Sequence, residues 1–225
     1  MTNASHRSIV VLISGTGSNL KAIYHYLKQH QLSATISAVI SNRPDAMGLT
    51  WAKENGIKTI ALDHTLYDSR LEFDKDLIEE IDKQQPDLVV LAGYMRILSS
   101  EFVQHYHGKL LNVHPSLLPN YRGLNTHKRV LESGETYHGT SVHFVSEDLD
   151  GGPVIAQAKL VVERHDTEQT LMERIQKLEH KLFPLVISLF IGGRITQHHS
   201  NVLLDNKPLK TPLLFDELSI PSTLV

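Results

Sequence analysis

Short, uninterrupted apolar runs alternate along the first half of the chain with segments whose apolar residues recur every three or four positions. "SIVVLIS", Ser8 to Ser14, has the length of a strand. In "GTGSNLKAIYHYLKQH", Leu20, Ile23, Tyr24 and Leu27 fall at helical spacing. "ATISAVIS" predicts a second strand, ended by "NRPDAMG". Residues 46–55 predict a helix that stops at Gly56, a C-terminal glycine. "IKTIAL" is a third strand. Residues 71–84 predict a charged amphipathic helix that Pro86 terminates. "DLVVLAG", Asp87 to Gly93, and "LLNVH" complete the series.

Strands alternating with helices in this way pair in parallel through right-handed crossovers. Runs that are apolar on both parities belong to strands covered on both faces. The expected fold class is therefore α/β, a doubly wound, mostly parallel, Rossmann-like sheet. Ligands bind such sheets beyond the carboxyl ends of the strands.

After residue 134 the pattern changes. "HGTSVHFV" alternates, and "DLDGGPVIAQAKLVV" reads as a turn followed by a strand. Two strands about a Gly-Gly-Pro turn predict a mixed or antiparallel extension of the sheet. Residues 167–190 predict a long amphipathic helix, with Thr167 or Asp166 as N-cap and a kink at Pro184. Residues 200–225 carry three prolines and no period, which predicts an irregular or partly disordered tail. The expected organisation is a single domain over 1–200 and a tail over 201–225.

Composition narrows the function. The 225-residue chain carries 22 basic and 25 acidic residues, a net charge of -3, which argues against a general nucleic-acid binder. It has no cysteine, which excludes disulfides, thiolate catalysis and cysteine zinc sites. No apolar run approaches the roughly 18 residues of a membrane span. The apolar run near the N-terminus is too short for a signal peptide and reads as the first strand. A cytoplasmic protein without membrane contact is expected.

Chemistry first suggests itself at "SGTGSNL", Ser14 to Leu20, between a strand and a helix. Gly15 and Gly17 allow a tight turn and close approach to a ligand. Ser18 and Asn19 offer side-chain hydrogen bonds, and the helix start favours an anion. The loop lacks the Gly-Lys-Ser/Thr ending of a Walker loop. Leu20 also replaces the third glycine of a dinucleotide fingerprint, and no clear acidic residue ends the second strand. Two readings stand: a phosphate cradle, or a turn that binds nothing.

"LLNVHPSLLPNYRG" poses the second question. Asn112 and His114 are two apart on a strand and point to one side. Either they serve a common site, or each is satisfied locally by the fold. "EDLDGGP", Glu147 to Pro153, adds Asp148 and Asp150 in a turn. A carboxylate beside an imidazole favours its charged form, and the carboxylate can also take up a proton. Asn, His and Asp without a serine or cysteine nucleophile suggest transfer between two bound substrates, with an amide and an imidazolium stabilising an oxyanion. No His-x-x-x-His pair falls on a predicted helix, so no metal is expected.

"LISGTGSNL", "VVLAGYMRIL", "LLNVHPSLLP", "HGTSVHFV" and "LDGGPVIAQ" occur together and in this order. With them the chain resembles the phosphoribosylglycinamide formyltransferase family, the folate-dependent formyltransferases of purine synthesis, over about residues 7–200. The resemblance implies formyl transfer from 10-formyltetrahydrofolate, as co-substrate, to the amine of 5-phosphoribosylglycinamide. It implies catalytic roles for Asn112, His114 and Asp150. It implies that Gly17, Ser18 and Asn19 bind the phosphate, that Glu179 reaches the ribose, and that Arg70, Met95, Arg96, Ile97, Leu98 and Asn112 line the folate site. The turn Glu147 to Asp150 should approach the pterin through its backbone. Arg122, in a segment that varies between members, receives no role.

The nearest rival is formyltetrahydrofolate deformylase, in which water replaces the amine. That family usually adds an N-terminal regulatory domain, whereas this chain begins at the first strand. Methionyl-tRNA formyltransferase would need a tRNA-binding domain for which residues 191–225 are too few. A nucleotide-dependent dehydrogenase is opposed by Leu20. A non-catalytic nucleotide- or folate-binding module is opposed by intact Asn112, His114 and Asp150. Both a monomer and a homodimer are compatible with the sequence.

Overall fold

The computed structural model describes residues 6–216. The chain divides into two compact units, Met1–Asn112 and Val113–Val225.

In the first unit, strands β1 (Arg7–Ile13), β2 (Ala34–Ser41), β3 (Thr59–Ala61), β4 (Leu88–Leu91) and the start of β5 (Leu110–His114) pair in parallel in the order β3-β2-β1-β4-β5. Ile9 to Ile13 of β1 are fully buried, as the two-sided apolar run requires. Helix α1 (Ser18–Gln29) buries Leu20, Ile23 and Leu27, while Tyr24 is half-buried, edge-on to Trp51 at 5.3 Å. Helix α2 (Met47–Glu54) ends ahead of Gly56, whose φ of 73° suits a glycine and whose N–H donates to the Lys53 carbonyl at 3.0 Å. Helix α3 (Arg70–Asp82) is capped by Ser69, which accepts from the Glu72 N–H at 3.2 Å. It stops two residues short of the expected 84; Gln85, at φ 48°, turns the chain before Pro86. Helix α4 (Ser100–His105), with Ser99 as N-cap, is too short to print a period.

In the second unit, α5 (Thr126–Ser133) precedes β6 (Tyr137–Phe144) and β7 (Val154–Val161), which pair antiparallel about the Gly-Gly-Pro turn as expected. Helix α6 (Glu168–Ile191) packs on both strands. Thr167 caps it, in a reciprocal box with Thr170. It runs unbroken through Pro184, so the expected kink does not interrupt the helix.

The tail expectation is corrected for residues 201–216. β8 (Ile195–His198), β9 (Asn201–Leu204) and β10 (Lys207–Pro208) form a small antiparallel sheet. β11 (Leu213–Asp216) pairs in parallel with β7, from Leu213 opposite Ala156 to Asp216 opposite Lys159. These strands are two to four residues long, too short for alternation to show, and they exist because neighbouring strands offer unpaired backbone groups. Residues 217–225 of the expected tail lie outside the described residues. No described helix is long and apolar enough to cross a membrane.

Candidate active site

The glycine loop follows directly from β1. Gly17 takes φ 71° and ψ 32°, a left-handed conformation that admits glycine without strain. No side chain caps α1, and the positive end of its dipole favours an anion there. A second glycine holds the loop: the Gly48 N–H, in the first turn of α2, donates to the Gly15 carbonyl at 3.0 Å. A Cβ at Gly48 would lie 2.5 Å from Ile13 Cδ1 and 3.2 Å from both the Gly15 carbonyl and Gly17 Cα, so the two backbones touch. Ser18 and Asn19 open α1, and Asn19 is buried.

The loop after β4 meets this turn through Ser14. The Ser14 N–H donates to the Gly93 carbonyl at 3.1 Å, and the Met95 N–H donates to Ser14 Oγ at 2.8 Å. Farther along, the Ser99 N–H donates to buried Asp74 at 2.6 Å, and the Arg96 guanidinium lies 4.4 Å over the Phe73 ring. These ties leave Met95 and Ile97 standing 68% and 57% exposed. Large apolar side chains held outward on a fixed loop mark a surface suited to a ligand. Leu98 is half-buried, and Arg70 is exposed at the first position of α3. Within the first unit the structure thus joins the segments containing Gly17, Ser18, Asn19 and Met95 to Leu98.

In the second unit, His114 and Asp150 come together. His114 Nδ1 lies 3.3 Å from Asp150 Oδ2, with both side chains more than nine-tenths buried. His114 Nε2 is 3.0 Å from the Tyr121 carbonyl, which only accepts, so that nitrogen carries a hydrogen. Both ring nitrogens thus face oxygens that accept hydrogen bonds. Asp150 also accepts the Gly123 N–H at 2.9 Å. Asn112 precedes His114 by two residues on β5. Glu179 is buried in the middle of α6.

The proline-punctuated loop after β5 is ordered by side chains from β6 and β7. Thr140 Oγ1 donates to the His114 carbonyl at 3.0 Å, and Ser141 Oγ to the Ser116 carbonyl at 2.6 Å. Gln157 Nε2 donates to the Leu118 carbonyl at 2.8 Å. The Asp150 turn is equally constrained. Asp150 itself has φ 49°, and a Cβ at Gly152 would fall 1.8 Å from the Phe144 carbonyl oxygen. "DGGP" is therefore a backbone requirement that places a carboxylate against His114.

Three further histidines escape sequence reasoning. His143 Nδ1 donates to the Phe144 carbonyl at 2.8 Å, and its Nε2 is 3.9 Å from Asp150 Oδ1. Burial pushes its pKa down to about 4, against the opposing pull of Phe144 and Asp150. His127 Nδ1 and His138 Nε2 share a hydrogen bond at 3.0 Å. Burial, then the neighbouring His127 and His114, push His138 down to about 3. The even–odd alternation of "HGTSVHFV" put His138 and His143 on opposite faces; only the fold reveals their neighbours. Among the described residues, no group of three or more histidines or carboxylates is placed to hold a metal ion.

Residues 7–187 match the formyl transferase family. The chain is 54% identical over 202 residues to phosphoribosylglycinamide formyltransferase of Escherichia coli, covering 90% of this chain and 95% of that protein. It is 41% identical to the Haemophilus influenzae protein of the same name, over 90% of this chain and 96% of that one. Its fold is similar to the solved phosphoribosylglycinamide formyltransferase of Coxiella burnetii, with a TM-score of 0.88, 50% identity, and coverage of 93% of this chain and 99% of that chain. With this fold and these matches, the chain belongs to the formyl transferase family, among its phosphoribosylglycinamide formyltransferases.

Proposed function

We infer that the chain transfers the formyl group of 10-formyltetrahydrofolate to the amine of 5-phosphoribosylglycinamide in purine biosynthesis, in the cytoplasm, by direct attack through a tetrahedral intermediate. The observation that carries this reading is the buried His114–Asp150 pair at the end of a strand. A covalent serine route is disfavoured: the hydroxyls of Ser116, Thr140 and Ser141 each donate to a backbone carbonyl.

The amine attacks the formyl carbon, and the carbonyl oxygen becomes an oxyanion. The Asn112 amide and the His114 Nε2–H stabilise it. His114 exchanges the Tyr121 carbonyl for the oxyanion as charge develops, since the charge-assisted bond is the stronger one. Asp150 holds the ring by Nδ1 and receives the proton lost by the amine, through water. A proton returned to the folate nitrogen allows that nitrogen to leave as the formyl–nitrogen bond breaks. Gly17, Ser18 and Asn19 hold the acceptor's phosphate, and Glu179 holds its ribose. Arg70 and Met95 to Leu98, with Asn112, line the folate site. Orientation of two substrates contributes several kcal/mol, up to about 7–11 in good cases.

The test is tetrahydrofolate release from 10-formyltetrahydrofolate with and without 5-phosphoribosylglycinamide. Release that requires the amine supports transfer. Equal release without it would make water the acceptor and the chain a deformylase. No release in either case would leave a binding module.

A further inference from the structure

An open cavity of about 660 Å³ in the first unit shares Met95 with the proposed folate site, but the reaction above uses none of its polar lining. It lies beyond the carboxyl ends of β1, β2 and β3 and is lined by Ser14, Asn42, Arg43, Asp63, His64 and Met95, among others. Its floor is a buried polar network with one unmet demand. Ser14 Oγ donates to Asn42 Oδ1 at 2.6 Å. His64 Nδ1 is 2.8 Å from the Asn42 carbonyl oxygen, which only accepts, so Nδ1 carries a hydrogen. The 3.4 Å approach of Asn42 Nδ2 to that same Nδ1 therefore sets donor against donor. Asn42, 3% exposed, is left with an amide N–H₂ that no described residue receives well, in a side chain that lines the cavity. A buried donor in this condition costs stability unless a water or a ligand oxygen in the cavity accepts from it.

The lining also constrains the ligand. Arg43 is already held by Asp45, with Nη2 3.0 Å from Oδ2. Asp63 adds a further carboxylate, so the lining favours a neutral group that both accepts and donates hydrogen bonds over an anion. In the neutral His64 ring, Nε2 is an acceptor. A vicinal diol meets these terms: one hydroxyl oxygen accepts from Asn42, and its proton or that of its neighbour goes to His64 or Asp63. Ser14 connects the cavity floor to the glycine loop.

We propose that this cavity binds the ribose and base of a nucleoside 5′-monophosphate whose phosphate reaches the Gly15–Asn19 turn, in competition with the acceptor substrate. Only the phosphate end rests on the reading of that turn given above. The ribose end rests on Asn42 and His64.

The experiment uses the full chain with adenosine, adenosine 5′-monophosphate and inorganic phosphate as probes. Calorimetry measures binding, and initial rates measure inhibition. Adenosine 5′-monophosphate should inhibit competitively against 5-phosphoribosylglycinamide. Asn42→Asp, which keeps the acceptor for Ser14 and removes the donor, should weaken that inhibition by about tenfold or more. KM for the acceptor and kcat should stay within about twofold. His64→Ala, at the half-buried start of the 3-10 turn His64–Leu66, should weaken inhibition likewise and stands in if Asn42→Asp does not fold. Adenosine binding that both variants weaken, with no gain from the phosphate, would support the cavity and overturn the phosphate end. Absence of binding by either nucleoside probe at millimolar concentration, or equal inhibition of wild type and both variants, would overturn the proposal.

Discussion

His114 Nδ1 lies 3.3 Å from Asp150 Oδ2, and both side chains are almost wholly removed from water. Burial makes this pair costly to break, because removing one partner strands the other. Its geometry also depends on backbone: Asp150 occupies a left-handed conformation, and its carboxylate receives the Gly123 amide. Strain of this kind persists where the surroundings over-determine it, and it clusters at functional sites.

Asn112→Ala and His114→Ala should each lower kcat by about 10²-fold, the effect of losing one oxyanion donor. Asp150→Asn should also lower kcat, since an amide cannot take up the amine proton. Steady-state kinetics with both substrates saturating would check this. A fall of only a few-fold for both Asn112→Ala and His114→Ala would sink the assignment.

Gly48→Ala should raise KM for 5-phosphoribosylglycinamide more than it lowers kcat. The new methyl group displaces the tip of Ile13 and, 3.2 Å from the Gly15 carbonyl and Gly17 Cα, shifts the Gly15–Gly17 turn by a few tenths of an ångström. Gly134→Ala is the control: its Cβ meets nothing, and its φ of 66° should cost only about 1 kcal/mol. Unchanged KM in a folded Gly48→Ala protein would remove this turn from the acceptor site.

Stability should fall as the medium becomes acidic. His138 is depressed to about 3 in the fold, chiefly by burial, whereas an unfolded histidine titrates near 6.5. Between those values the unfolded chain binds a proton that the folded chain refuses. The contribution is complete above about pH 6.5 and declines toward pH 3, by at most about 1.4 kcal/mol per unit. His127 and His114 face the same ring and disfavour its charge. Urea midpoints at several pH values should show a shallower acid slope for His138→Gln than for the wild type. Equal slopes would mean that other groups dominate.

Truncation after residue 210 should produce self-association. β11 covers the edge of β7, and its loss exposes a row of unpaired backbone groups from Ala156 to Lys159. Light scattering of the truncated and full chains at equal concentration would detect the difference. A truncated chain that stays as dispersed as the full one would assign β11 no protective role.

The local pattern carried much of this protein. Continuous apolar runs such as Ile9 to Ile13 and the helical spacing of Leu20, Ile23 and Leu27 report burial directly, because strand and helix periods are properties of the backbone. Turn chemistry was legible for the same reason, at Gly17, Gly56 and the Gly151–Gly152 pair. Motif order also placed the chain in its family, and "LLNVH" put Asn112 and His114 at a strand end. Tertiary structure decided what periodicity does not encode. β9, β10 and β11 hold too few residues to alternate visibly, and pairing with neighbouring strands creates them. The meeting of His114 with Asp150, the buried His143 and the hydrogen-bonded His127–His138 pair depend on which strands and loops fold against one another. So does the unmet amide of Asn42, whose neighbours Ser14 and His64 lie on two separate segments. A side chain's role is set by the groups that surround it in space, and the linear spacing of residues fixes only those that are near in the chain.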